Sequence, residues 1–190
     1  MKVLGVLPFA RLLLENALSE GDIAVDCTVG NGHDTLFLAN VVGENGHVYG
    51  FDVQEQAIEK ATEKLTTHEV HERVTLFQTG HEEVRSLIPK DVHSKLKGAI
   101  FNLGYLPGGD KTIVTRPTST MAAISALLEM MPLGGTIVLV IYHGHEEGKV
   151  EKETILSFLE QYDQRLAHIL KYEFINQANN PPFVVAIEKR

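Results

Sequence analysis

Apolar and polar positions alternate along this chain in two rhythms that take turns. Short apolar runs bounded by turn residues occur at Ile23–Thr28, Gly46–Asp52, Arg73–Gln78, Lys97–Leu103 and Thr136–Tyr142. The last, entered through Gly134-Gly135, is the most β-branched, and each run predicts a strand. Between them, apolar residues recur at helical spacing near 33–41, 54–66, 81–87 and 118–131. A charged helix is expected over about 146–161, then two strand-like stretches near 165–175 and 182–188. Asn-Gln-Ala-Asn-Asn-Pro-Pro joins these two, a turn-rich connection that suits a hairpin.

Strand-helix alternation implies a parallel sheet covered on both faces. Five parallel strands followed by an antiparallel hairpin make an α/β, Rossmann-like sheet of the class I methyltransferase type. It has seven strands, mostly parallel, with helices on both faces. At 190 residues and 44% apolar content, one domain spanning 1–190 can fill one core. No run of eighteen apolar residues exists, so no membrane span is expected. Met1 to Leu18 is amphipathic but carries Pro8, Arg11 and Glu15, so it reads as a structural helix and not a signal peptide. The single Cys27 excludes an intramolecular disulfide and a multi-cysteine zinc site, and fits a reducing cytoplasm. A formal net charge of -8 argues against broad non-specific nucleic-acid binding.

The first chemical signal is Val25-Asp26-Cys27-Thr28-Val29-Gly30-Asn31-Gly32-His33-Asp34-Thr35, a small-residue turn between a strand and a helix. Such a turn lets backbone approach a ligand, and the helix start offers unpaired N–H groups. Asp52, 20 residues after Gly32, ends the second strand, where a carboxylate accepts the ribose hydroxyls of an adenosine. That spacing also suits NAD. Two details favour S-adenosylmethionine: Thr35 stands where a dinucleotide fingerprint wants Gly or Ala, and Asp26 would repel a pyrophosphate. Gln54 and His81 are further candidates to border the adenosine, against plain readings as residues of a helix start.

On the acceptor side, the fourth strand ends in Phe101-Asn102-Leu103-Gly104-Tyr105-Leu106-Pro107-Gly108-Gly109-Asp110. Asn-Leu-Gly-Tyr resembles the Asn-Pro-Pro-Tyr tetrapeptide of amino-group methyltransferases, with Leu103-Gly104 replacing the prolines. There the Asn accepts from the amine and the aromatic ring stacks on a base, roles that would fall to Asn102 and Tyr105. Positioning and aimed dipoles are the protein's share of an in-line displacement. Tyr142-His143-Gly144-His145 ends the fifth strand on the same rim, suited to nucleotide handling or to receiving a proton. His143 and His145 with Glu146 and Glu147 have metal-ligand chemistry, but methyl transfer to nitrogen needs no metal, and none is expected. The Gly108–Pro117 loop carries Lys111 and Arg116, with Lys149 and Lys152 beyond it, a candidate phosphate-contacting stretch.

Together with Leu7-Pro8-Phe9, Gly-Phe-Asp-Val-Gln, Val-Ile-Tyr-His-Gly-His-Glu-Glu-Gly-Lys and Asn-Asn-Pro-Pro-Phe, these motifs resemble the YtqB/MnmM-like family of small bacterial methyltransferases over essentially the whole chain. The resemblance implies an S-adenosylmethionine-dependent enzyme that methylates the 5-aminomethyl nitrogen of wobble 2-thiouridine in tRNA. It implies that Asp26, Thr28, Gly30, Asn31, Gly32, Asp52, Gln54, His81 and Asn102 hold the cofactor. Asn102, Tyr105, Tyr142, His143 and His145 would line the uridine pocket, with Lys111, Arg116 and Lys149 on the RNA backbone of the anticodon stem-loop. A homodimer would widen that RNA surface. Methylation of rRNA or of a small amine, and a NAD-binding or catalytically silent module, are the competing readings.

Overall fold

The computed structural model describes residues 3–104, 115–144 and 146–190. Its strands are β1 (Ile23–Asp26), β2 (His47–Phe51), β3 (Val74–Phe77), β4 (Leu96–Leu103), β5 (Thr136–Ile141), β6 (Ala167–Tyr172) and β7 (Phe183–Lys189). They form one sheet in the order β3-β2-β1-β4-β5-β7-β6. β1 to β5 run parallel; β7 lies antiparallel between β5 and β6. The seven-stranded, mostly parallel sheet with its C-terminal hairpin is the class I methyltransferase arrangement that the sequence predicts.

The helices are α1 (Val6–Ala17), α2 (His33–Val42), α3 (Glu55–Thr67), α4 (Val84–Leu87), α5 (Pro117–Met130) and α6 (Glu146–Glu160). Their sequences explain their limits. Pro117 opens α5, where its missing N–H costs nothing. In α3, Ala57, Ala61 and Leu65 recur every fourth residue and form its buried stripe. The helix expected over 81–87 is instead a 3₁₀ turn at His81–Glu83 followed by the single turn of α4. Pro89 disfavours helical backbone at Ile88 and stops α4 there. β6 is shorter than the expected 165–175, because Asp163 accepts the Arg165 backbone N–H at 2.9 Å and turns the chain first.

Each sheet face carries its own core. On one, Val25, Phe51, Phe101, Leu139 and Ile187 meet Ile124 and Leu127 of α5 and Ile155 and Leu159 of α6. On the other, Ala24, Val48, Ile100, Val140 and Val184 meet Ala10 and Leu14 of α1 and Leu38 and Val42 of α2. Phe101 is fully buried, and truncating such a side chain to Ala costs roughly 3–5 kcal/mol. No helix among the described residues is long and apolar enough to cross a membrane.

The chain goes outward from β1 to β3, then crosses back to β4 beside β1 and continues to β5. The strand order therefore reverses between β1 and β4, and a doubly wound sheet opens its ligand crevice beyond the carboxyl ends at that point.

Candidate active site

The turn after β1 is tied to the strands on both sides. Cys27 donates its N–H to Ile100 O in β4 at 2.9 Å, and Val29 donates to Phe51 O in β2 at 3.1 Å. Gly30 (φ 52°) and Gly32 (φ 73°) bend the chain through backbone that favours glycine. A Cβ on Gly32 would stand 2.9 Å from Ala61 Cα, so this residue also lets α2 approach α3.

Asp52 follows β2 and closes the turn from the other side. Its Oδ2 accepts the Gly30 N–H at 2.8 Å and its Oδ1 accepts the Gln54 N–H at 2.9 Å. Gln54 in turn caps α3. Asp26 is buried beneath the turn, where Thr35 Oγ1 donates to it at 2.6 Å and the Thr28 N–H at 3.1 Å. Burial, with the nearby Asp34 second, pushes its carboxyl up from 3.8 to about 7, against the pull of both hydrogen bonds.

His81 lies within reach of the same crevice, buried and edge-on to Phe101. Its Nδ1 donates to Cys27 O at 2.9 Å, which leaves Nε2 as the acceptor nitrogen. Burial holds the imidazole below its usual pKa, so it is neutral at pH 7. His81 Nε2 and Asn31 Oδ1 are buried with no protein partner, two acceptors available to a ligand. Glycine backbone, a carboxylate after β2 and a neutral acceptor after β3 fit an adenosine-bearing cofactor.

Asn102, in β4, stands one strand over from the turn. Its backbone N–H donates to Thr28 Oγ1 at 2.7 Å, and its Nδ2 donates to Asp34 Oδ2 at 2.9 Å. Thr28 and Asp34, both beside the turn after β1, thus fix both the backbone and the side chain of Asn102. Tyr142 packs against Gly104, where an added Cβ would lie 3.3 Å from its own. Burial first and Asp34 second raise the Tyr142 phenol pKa. His143 is buried edge-on to Phe183, and burial, then Lys152, lower its pKa. Asn102, Tyr142 and His143 therefore share the rim formed by the ends of β4 and β5.

Gly104, at the end of β4, and Thr115, before α5, are fastened to one another. Gly104 donates its N–H to Thr115 Oγ1 at 3.0 Å, and Thr115 donates its N–H to Gly104 O at 3.1 Å. Thr115 Oγ1 also donates to Glu151 Oε2 at 2.6 Å, while Thr120 Oγ1 reaches Glu151 Oε1 at 3.4 Å. Glu151 is buried on α6, and burial raises its pKa despite both threonines. Asp34, Arg11, Thr115 and Glu151 join the site with no role expected from the sequence; an acid in the first turn after a glycine turn is the one signal pointing at Asp34.

Arg116 and Lys149 are exposed, at the N-cap of α5 and on α6. Tyr105, Lys111 and His145 lie outside the described residues. No three His, Cys, Asp or Glu side chains among the described residues are placed to hold a metal ion.

Comparison with known proteins agrees with this architecture. A family model described as "Putative rRNA methylase" matches residues 48–188. The structure of a "putative rRNA-methylase" from Clostridium thermocellum is 44% identical with a TM-score of 0.96, the match covering 100% of both chains. A "putative methyltransferase" from Streptococcus mutans in complex with SAH is 36% identical, with a TM-score of 0.89 over 99% of both chains. The Arabidopsis thaliana protein "tRNA (mnm(5)s(2)U34)-methyltransferase, chloroplastic" is 36% identical over 157 residues, 78% of this chain and 57% of that protein. The chain thus spans little more than half the length of that relative. With the sheet, the cofactor turn and these relatives in agreement, the chain belongs to the rRNA methylase family of S-adenosylmethionine-dependent methyltransferases.

Proposed function

We infer that the chain N-methylates the 5-aminomethyl group of wobble 2-thiouridine, position 34 of tRNA, giving 5-methylaminomethyl-2-thiouridine in the cytoplasm. The observation that carries this reading is Asn102, held at the crevice mouth by Thr28 and Asp34, one strand from the cofactor turn. The cofactor is S-adenosylmethionine, which supplies an electrophilic methyl group when bound. Gly30, Asn31, Gly32, Asp52, Gln54 and His81 would hold it, with Asp26 and Thr28 bracing the turn.

A neutral amine must present its lone pair to the methyl group and its N–H to an acceptor. Asn102 Oδ1 is that acceptor, its amide dipole aimed at the positive charge that develops on nitrogen. Tyr142 and His143, with Tyr105 and His145 beyond them, would receive a base splayed out of the anticodon loop. Lys111, Arg116 and Lys149 would meet the backbone of the anticodon stem-loop. The name of the Arabidopsis relative supports the choice of substrate.

A second reading, methylation of rRNA, is favoured by the description of the family model and of the Clostridium thermocellum protein. The test is incubation with S-adenosylmethionine and bulk tRNA from a strain lacking this gene, then nucleoside mass spectrometry. One added methyl on 5-aminomethyl-2-thiouridine is the expected result. Methyl transfer to rRNA alone would select the second reading. Free nucleoside methylated as fast as tRNA would select a small amine.

A further inference from the structure

Asp34 occupies the first turn of α2 without capping it; Gly32 is the N-cap, and no side-chain cap bond forms there. Its carboxylate instead joins two distant parts of the chain. Arg11 of α1 donates to Oδ1 from Nη2 at 3.0 Å and from Nε at 3.3 Å, and Asn102 Nδ2 donates to Oδ2 at 2.9 Å. The Asp34 side chain is only 14% exposed. The Arg11 guanidinium is itself steadied over the Phe37 ring, 5.2 Å from its centroid.

This arrangement fixes the polarity of the Asn102 amide. A carboxylate paired with a guanidinium has only lone pairs to offer, so the amide atom facing it is the NH₂. Oδ1 is the atom left to accept from an amine. Without that contact the terminal amide torsion is roughly two-fold, and a flipped Asn102 would present donors to a donor.

The geometry points to Asp34 and Arg11 as positioning residues of the methyl transfer: Arg11 holds Asp34, and Asp34 holds the Asn102 amide with its oxygen toward the acceptor. This rests on the reading of the chain as an amine methyltransferase. The backbone bond from Asn102 to Thr28 limits the residue's position, and Asp34 adds its orientation. Misplacement on that scale costs roughly ten- to a hundredfold in rate.

The experiment is a double-mutant cycle on single-turnover methylation of tRNA from a strain lacking this gene. Asp34→Ala should slow the step at least about tenfold, and Arg11→Ala about threefold, the smaller effect of a partly exposed pair. S-adenosylhomocysteine affinity should change less than about twofold in either variant. In an Asn102→Ala background, Asp34→Ala should add no further loss. Independent, multiplying losses would overturn the proposal, because Asp34 would then act without Asn102.

A second readout needs no substrate. The Asn102 side-chain amide cross-peaks in a ¹⁵N spectrum, assigned by their loss in Asn102→Asp, should move to free-amide positions in Asp34→Ala and part of the way there in Arg11→Ala. Unmoved peaks would also overturn the proposal. If Asp34→Ala did not fold, Asp34→Asn would replace it, since its NH₂ puts a donor where one of the two carboxylate oxygens accepts from Arg11 or Asn102. A wild-type protein inactive on this tRNA would sink the substrate reading, while the cross-peaks would still decide whether Asp34 orients Asn102.

Discussion

Asp26 is sealed beneath the cofactor turn, where burial and Asp34 raise its carboxyl from 3.8 to about 7. A folded-state pKa above the unfolded one favours folding in the protonated form. Its contribution is therefore complete below about pH 4, shrinks as pH rises, and is gone above about pH 7. Every tenfold difference in acidity between the folded and unfolded carboxyl is worth roughly 1.4 kcal/mol. Asn at this position keeps both contacts, accepting from the Thr28 N–H and donating to Thr35 Oγ1. Asp26→Asn should thus gain thermal stability over the wild type at pH 8 and show little gain at pH 4, measured as the difference in Tm. A difference independent of pH would mean that Asp26 ionises as readily folded as unfolded. The sequence places Asp26 and Asp52 at strand ends but says nothing of Asp34's partners, which lie 23 and 68 positions away. Contacts of that separation depend on the strand order and leave no local pattern.

Secondary-structure elements are the most readable level, for reasons visible in particular segments. The buried run of β5 and the fourfold spacing of Ala57, Ala61 and Leu65 are repeating signals that tertiary contacts reinforce. The 3₁₀ segments at His71–Arg73 and Lys90–Lys95 have no such period and leave no mark in the sequence pattern. His81 shows why its helix fails: a side chain bonded to Cys27 O fixes the segment from outside. The α2–α3 pair gives a test at this scale. Gly32→Ala places a Cβ 2.9 Å from Ala61 Cα and on backbone at φ 73°. Left-handed strain and overpacking together should cost roughly 2–5 kcal/mol. Urea denaturation would show this as a lower midpoint; a loss below about 1 kcal/mol would mean that α3 withdraws freely.

At the level of the whole molecule, the chain's last strand is not its last in space. β7 lies between β5 and β6, and Phe183, Val185 and Ile187 complete the core on the α5–α6 face. A chain ending at residue 162 would uncover both that core and the edge of β5. It should show no cooperative urea transition and no binding of S-adenosylhomocysteine; retained binding would make the hairpin an accessory. Net charge is the least informative whole-molecule signal. A value of -8 does not reveal where Arg116 and Lys149 stand relative to the crevice, because it sums over all faces.

The turn after β1 is bonded outward on both sides, through Cys27 to β4 and through Val29 and Gly30 to β2 and Asp52. Ordering free backbone costs roughly 1–2 kcal/mol per residue. Here that cost is met by folding, before any ligand arrives. Cofactor capture then draws on a rigid receptor, and its calorimetric signature is a small entropic penalty with the heat coming from the contacts themselves.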